Sequence, residues 1–277
     1  MKKKLYLLAI LPFTCLILFY EILPLIITIG KSFFAENEKF SFTLEHYKVI
    51  FQKPLYQSAI RNSLIISSVS SIVGLVVSFV AAKIIYQKNE KERSFCVSLL
   101  NMISNFSGLP LAFSFIILIG NTGIVTMVAK NLGIGWLSEL PLYTVFGILL
   151  IYIYFQIPLA ILLLIPVFDG VKKEWKEAIY MLGGTDRVFW KKIGIPILMP
   201  SLLGTFSTLF ANALSAYASA YALLMNNYSI LPIRIAEQFK GDIVKRVEFG
   251  SALAVILMLF MVISMGVTQS LSKRIRR

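Results

Sequence analysis

Residues 174–200 read EWKEAIYMLGGTDRVFWKKIGIPILMP, a polar and basic segment lodged between two long apolar runs. Pro166 closes the run before it, since proline lacks a backbone donor and crowds the preceding turn. Lys172 to Leu182 reads as a short amphipathic helix. Trp175, Ala178, Ile179 and Leu182 recur at spacings of three and four and make one apolar face. Gly183-Gly184 stops that helix, because glycine accepts the left-handed geometry of a C-cap. Thr185 or Asp186 then caps a second helix carrying Val188, Phe189 and Trp190. Pro196 and Pro200 punctuate the start of the next apolar run. A helix–glycine–helix elbow of this kind covers its apolar face either on a lipid surface or in a groove of another protein.

The runs on either side fix the class. Hydrophobic residues make up 57% of the 277, too many for the polar surface a soluble domain of this length needs. They fall in stretches near the ~20 residues that cross a bilayer as helix, where every backbone group is satisfied internally. The fold class is therefore all-α polytopic membrane protein, with six transmembrane helices at roughly 5–30, 60–85, 95–119, 142–165, 200–225 and 248–271. The elbow lies in the 166–199 connection between helices 4 and 5. With no long linker, inserted soluble domain or clear repeat, residues 1–277 read as a single transmembrane domain.

Net charge is +13, but the charges cluster at the ends of apolar runs, which is how orientation is encoded in membranes and not how nucleic acid is bound. Sixteen basic residues fall on the side of Lys2, Lys88, Lys172 and Lys273, against ten on the side of Lys31, Lys130 and Arg234. That bias puts both termini and the elbow in the cytoplasm. The N-terminal apolar stretch continues well past Cys15 with no small-x-small cleavage site, which predicts a retained first span. Cys15 and Cys96 have no metal spacing and read as small buried residues. His46, the sole histidine, reads as a surface loop residue, and no metal cluster or catalytic constellation is present in the sequence.

Glu177-Ala178-Ile179, three residues, Gly183, nine residues, then Ile193-Gly194-Ile195-Pro196 resembles the EAA loop of bacterial ABC-importer permeases. Two departures are mild: Ile179 stands for the usual second alanine and Gly184 for a frequent alanine. The resemblance implies an inner-membrane permease subunit of a binding-protein-dependent importer, in the bacterial cytoplasmic membrane. It implies that the 172–183 helix is a coupling helix seated in a cleft of a separate ATPase subunit. Trp175, Glu177, Ala178, Ile179, Leu182, Gly183 and Pro196 are then the coupling residues, with Glu177 orienting the elbow by pairing with nearby basic residues. The chain has no G-x-x-x-x-G-K-[ST] phosphate loop, so ATP and Mg belong to the partner and no enzyme activity or cofactor is expected on this chain. The implied partners are ABC ATPase subunits, a second permease subunit similar or identical to this one, an extracellular solute-binding protein and the bilayer, with no nucleic acid.

A solute path is sought among polar residues within the spans. Ser201, Thr205, Thr208, Asn212, Ser215 and Ser219 recur at three and four along the fifth span. Thr208, Asn212, Ser215 and Ser219 are the candidate path, although small hydroxyl residues also serve helix packing. Ser63, Ser67, Ser70, Gly74 and Ser78 in the second span read as close packing. Asn105, Ser107 and Pro110 break the third span, and Gln156-Ile157-Pro158 the fourth; such breaks either line a transport site or are plain kinks. Glu21 is either a functional carboxylate or a harmless one near the outer surface. Gly120-Asn121-Thr122-Gly123 and Leu231-Pro232 are similar to the permease branch serving polyamines, ferric iron, thiamine and phosphonates. The alternative is an ATP-independent secondary transporter or channel, for which Glu21 is the available intramembrane acid.

Overall fold

In the computed structural model, the structure describes residues 11–36, 41–225, 228–240 and 245–275. The N-terminal Lys2, Lys3 and Lys4 of the charge argument lie outside them. In chain order the helices are α1 (Leu11–Lys31), α2 (Glu45–Gln52), α3 (Pro54–Tyr86), α4 (Glu90–Ser104), α5 (Leu109–Ile119), α6 (Ile124–Asn131), α7 (Gly135–Ser138) and α8 (Val145–Phe168). They continue as α9 (Lys173–Met181), α10 (Asp186–Phe189), a π-helical turn at Trp190–Gly194, α11 (Ile195–Ser215), α12 (Ala218–Leu224), α13 (Leu231–Lys240) and α14 (Val247–Ile275). Among the described residues six helical stretches are long and apolar enough to cross a membrane, and the only β pairing is an isolated bridge between Phe34 and Phe42. The chain is an all-α polytopic membrane protein.

The span limits differ from the sequence reading where local breaks intervene. The third stretch long and apolar enough to cross is Leu109–Asn131, where the sequence reading has 95–119. The chain leaves helix between Ser104 and Leu109, where Gly108 takes φ +71, and the strongly apolar residues begin only after it. The fifth crossing stretch is Asp186–Ser215, with a break at Ala216 and Tyr217 before α12. Pro166 does not end the fourth span: α8 runs to Phe168, which is fully buried. Proline removes one donor but keeps a helical φ, so burial of the following aromatic side chain carries the helix on. The break foreseen at Gln156-Ile157-Pro158 is likewise absent, and α8 passes through it.

The described residues divide into two units. One comprises residues up to Ile60 with Ser229–Leu259. Its centre is Phe249, fully buried, with Tyr56 and His46 rings against it and the Arg246 guanidinium 4.6 Å from its centroid. His46 is thus not a surface residue. It is buried and bonds through Nε2 to the Phe34 carbonyl at 2.8 Å, a partner twelve residues away that loop composition does not reveal. Glu36 and Arg246 pair at 2.8 Å in the same unit. Glu21 is exposed on a π-helical turn, Leu18–Ile22, inside α1.

The other unit comprises Arg61–Tyr228 with Phe260–Arg277. Here α3 and α8 pack through the serine row of the second span. Gln156 Nε2 donates to Ser70 Oγ at 2.8 Å, Ser71 Oγ donates to Gln156 Oε1 at 3.3 Å, and Ser78 Oγ donates to the Ile157 carbonyl at 3.0 Å. A β-carbon on Gly74 would stand 3.3 Å from that of Gln156. Small residues let the two backbones approach, and both ends of the buried amide are bonded, which is the packing role anticipated for this row. Further along, Ala82, Ile161, Leu164, Phe168, Phe189 and Leu198 form a buried cluster on which the elbow rests.

Candidate functional site

The elbow is built by α9, a two-glycine stop and α10. The Gly183 N–H bonds the Tyr180 carbonyl and the Gly184 N–H bonds the Ile179 carbonyl, each at 2.9 Å, with Gly183 at φ +75. These two bonds and the left-handed residue make a Schellman motif, which closes the last carbonyls of the helix. Thr185 holds the cap position of α10 without a side-chain cap bond. Asp186 instead reaches back: its Oδ1 accepts from the Tyr180 hydroxyl at 2.7 Å and from Lys176 Nζ at 2.9 Å. The hydrogen bond to this carboxylate, above all, holds the Lys176 ammonium above its ordinary range.

The packing corrects the apolar face read from the sequence. Trp175 and Ile179 do pack against the buried cluster. Ala178 and Leu182 do not, and Leu182 is 83% exposed beside Met181 at 89%. The packed face is centred on Trp175 and Ile179 and does not extend to the flank of Ala178; Lys176, on the opposite flank, is tied to Asp186, and Leu182 leaves the helical path as the C-cap. The outward side therefore carries Glu174, Glu177, Ala178, Met181 and Leu182. Glu177 is exposed, and the described ion pair at the elbow is Lys176–Asp186, not one made by Glu177. A cavity of about 530 Å³ lies under the elbow, lined by Tyr86, Lys172, Lys176, Glu177 and Trp190 among others. Pro196 is exposed in the first turn of α11. The π turn before it widens the backbone where the proline ring would crowd the carbonyl four residues back.

A second cavity, about 470 Å³, forms where two helix breaks meet. Asn105, Ser107 and Gly108 come from the α4–α5 break; Asn212, Ser215, Tyr217 and Ser219 come from α11 and the break after it. Ser219 Oγ donates to the Gly108 carbonyl at 3.2 Å, and the Tyr152 hydroxyl donates to the Ala216 carbonyl. The Tyr152 bond satisfies a carbonyl at the break after α11, while the Gly108 carbonyl also accepts from the Ala112 N–H at 3.2 Å and so holds two donors. The structure thus gathers three of the four candidate path residues with the polar residues of the third-span break. It does not bring Thr208 there. Thr208 bonds the Gly204 carbonyl and lines a separate cavity of about 570 Å³ with Ser207, Met261 and Met265. Nor do Ser215 and Ser219 share one continuous helical face, because the chain leaves helix between them.

The elbow and the cavity of paired helix breaks, on a six-span all-α frame, are the features of a membrane transport subunit. The family described as binding-protein-dependent transport system inner membrane component matches residues 74–277, and the chain belongs to that family. It is 25% identical over 259 residues to the osmoprotective compounds uptake permease protein GgtC of Synechocystis, covering 88% of this chain and 90% of that one. It is 21% identical over 265 residues to the spermidine/putrescine transport system permease protein PotB of Haemophilus influenzae, covering 94% and 92%. A crystal structure of a bacterial ABC transporter involved in import of the acidic polysaccharide alginate matches the fold with TM-score 0.81 at 16% identity, over 100% of this chain and 98% of that one. The chain is accordingly a multi-pass membrane protein, a permease subunit of an ABC importer.

Proposed function

We propose that this permease forms part of a solute pathway at the Asn105–Asn212–Ser219 cavity and couples it to a separate ATPase subunit through the α9 elbow. The observation that carries the reading is the elbow's outward side. Met181 and Leu182 are 89% and 83% exposed on a helix whose end is closed by a Schellman motif and tied by Asp186. Two large apolar side chains held rigidly in the open call for a protein groove. ATP and Mg reside on the ATPase subunit, and no chemistry takes place on this chain. The elbow and both termini face the cytoplasm, as the basic residues indicate. A second permease subunit, like or identical, completes the pathway, and an extracellular solute-binding protein delivers the solute. A related fold has been solved with an alginate pentasaccharide-bound periplasmic protein, at TM-score 0.75, which supports such a partner.

The solute is small and polar or charged, in the polyamine, ferric iron, thiamine or phosphonate class. Spermidine/putrescine relatives are in keeping with that class, and relatives named for sulfate, osmoprotective compounds and trehalose set the competitors to be assayed beside it. The test is uptake into proteoliposomes holding this chain with its ATPase and binding protein. Uptake that requires ATP inside supports the reading; uptake unchanged by removing ATP contradicts it and favours an ATP-independent carrier.

A further inference from the structure

The π turn between the elbow and α11 begins at Trp190, and four chain segments converge on that one indole. Lys83 Nζ of α3 stands 4.3 Å from its ring centroid, and Phe79 of α3 meets it edge-on at 6.3 Å. Phe168, at the end of α8, lies at 6.0 Å, and Phe189, at the end of α10, at 5.4 Å. The fourth segment is the other end of the π turn: a β-carbon on Gly194 would stand 2.5 Å from Trp190 Cε3. Glycine there lets the ring lie flat against the backbone that leads into α11. Trp175 and Ile179 of α9 rest on the same buried cluster, which includes Phe168 and Phe189. From Gly194, α11 runs directly to Asn212 and Ser215 at the cavity.

We infer that Trp190 is a positioning residue for transport, the joint through which movement of the coupling helix is passed to α11 and so to the solute cavity. The inference rests on the proposed coupling role of α9. A π turn is a rare, weakly bonded segment that collects at functional positions. Left unsupported it would absorb a push on the elbow by local deformation. The indole wedged against Gly194 fills that give, so that α9, α10 and the start of α11 move as one piece against α3 and α8. The Lys83 ammonium over the ring face adds a directional attraction to the packing.

The test uses the full complex in proteoliposomes and reads solute transported per ATP hydrolysed. Trp190→Leu opens space at Gly194 and removes the ring under Lys83. The expected result is normal recovery of the complex, ATPase activity that remains stimulated by the binding protein, and uptake per ATP lowered about tenfold, the scale on which residues along a coupling route act. Lys83→Met leaves the buried cluster intact and is expected to shift the same ratio in the same direction by about twofold. Wild-type uptake per ATP in both variants overturns the inference. So does a parallel loss of uptake and ATPase activity in step with lost assembly, which is what plain packing would give. A wild-type chain that neither binds nor stimulates an ATPase subunit instead defeats the coupling reading on which the inference rests.

Discussion

A β-carbon on Gly184 would lie 2.6 Å from Cγ2 of Ile179, so the two positions at which the elbow departs from the family's alanine-rich pattern are in contact. The larger side chain at 179 fills the space that a methyl at 184 would take. Ile179 gains packing on the buried cluster, and Gly184 still closes the helix through its N–H to the Ile179 carbonyl. The two departures are one exchange of volume.

Gly184→Ala alone therefore overpacks the elbow, at a cost of about 1–3 kcal/mol. Ile179→Ala removes Cγ2 and leaves the Ile179 carbonyl, 3.0 Å from the added carbon, as the remaining close contact. The double variant is expected to be more stable than the sum of the single effects by about 1 kcal/mol. Denaturation of the purified single and double variants in detergent checks it; simple additivity would break the exchange account.

Gly183 presents the opposite case. Nothing lies within 4 Å of a β-carbon there, so any substitution is penalised by φ +75 alone. Left-handed backbone costs a side chain about 1–2 kcal/mol, less for asparagine. Uptake is expected to fall in the order Gly, Asn, Ala, Val while membrane insertion stays constant. Equal uptake by Gly183→Val and wild type would remove Gly183 from the coupling machinery.

Lys176 is raised above its ordinary range, chiefly by its hydrogen bond to Asp186. A group raised on folding stabilises fully below its unfolded pKa and loses that contribution as pH rises through its folded value. Protection of the 176–188 backbone from hydrogen exchange, corrected for intrinsic rate, is expected to be flat from about pH 6 to 9 and to decline only in more alkaline solution. Lys176→Met is expected to lower protection across the flat range and to remove that decline.

Thr208 and Asn212 are one turn apart in sequence yet line different cavities. Asn212→Ala and Asn105→Ala are expected to raise the KM for uptake severalfold, on the scale of about 1 kcal/mol for a lost hydrogen bond. Thr208→Val is expected to leave KM unchanged. Solute-concentration curves for the three variants separate a solute site at the paired breaks from a path along the whole face of α11.

Six spans and the elbow were legible because apolar length and the glycine stop are local signals; Gly183 is left-handed where the C-cap argument requires it. What was not legible depends on distant partners. The partner of Lys176 is Asp186, ten residues on and past the glycines. The break after Ser215 has no glycine or proline of its own, and the Tyr152 hydroxyl of α8 takes up the Ala216 carbonyl there. The burial of His46 depends on a carbonyl and a ring from other segments. The third apolar stretch differs from the sequence reading because α4 opens on Glu90, Lys91, Glu92 and Arg93 and only α5 is strongly apolar along its length.

The central claim is that the exposed end of α9 seats in an ATPase subunit. The most direct measurement is purification of the chain from native membrane in mild detergent, with every partner identified by mass, for wild type and for Met181→Glu with Leu182→Glu. The account predicts an ATPase subunit in fixed ratio with wild type. It predicts loss of that subunit from the double variant, which still inserts and purifies because both side chains are exposed. A wild-type chain recovered without an ATPase subunit, or a double variant that keeps one at full ratio, would contradict it.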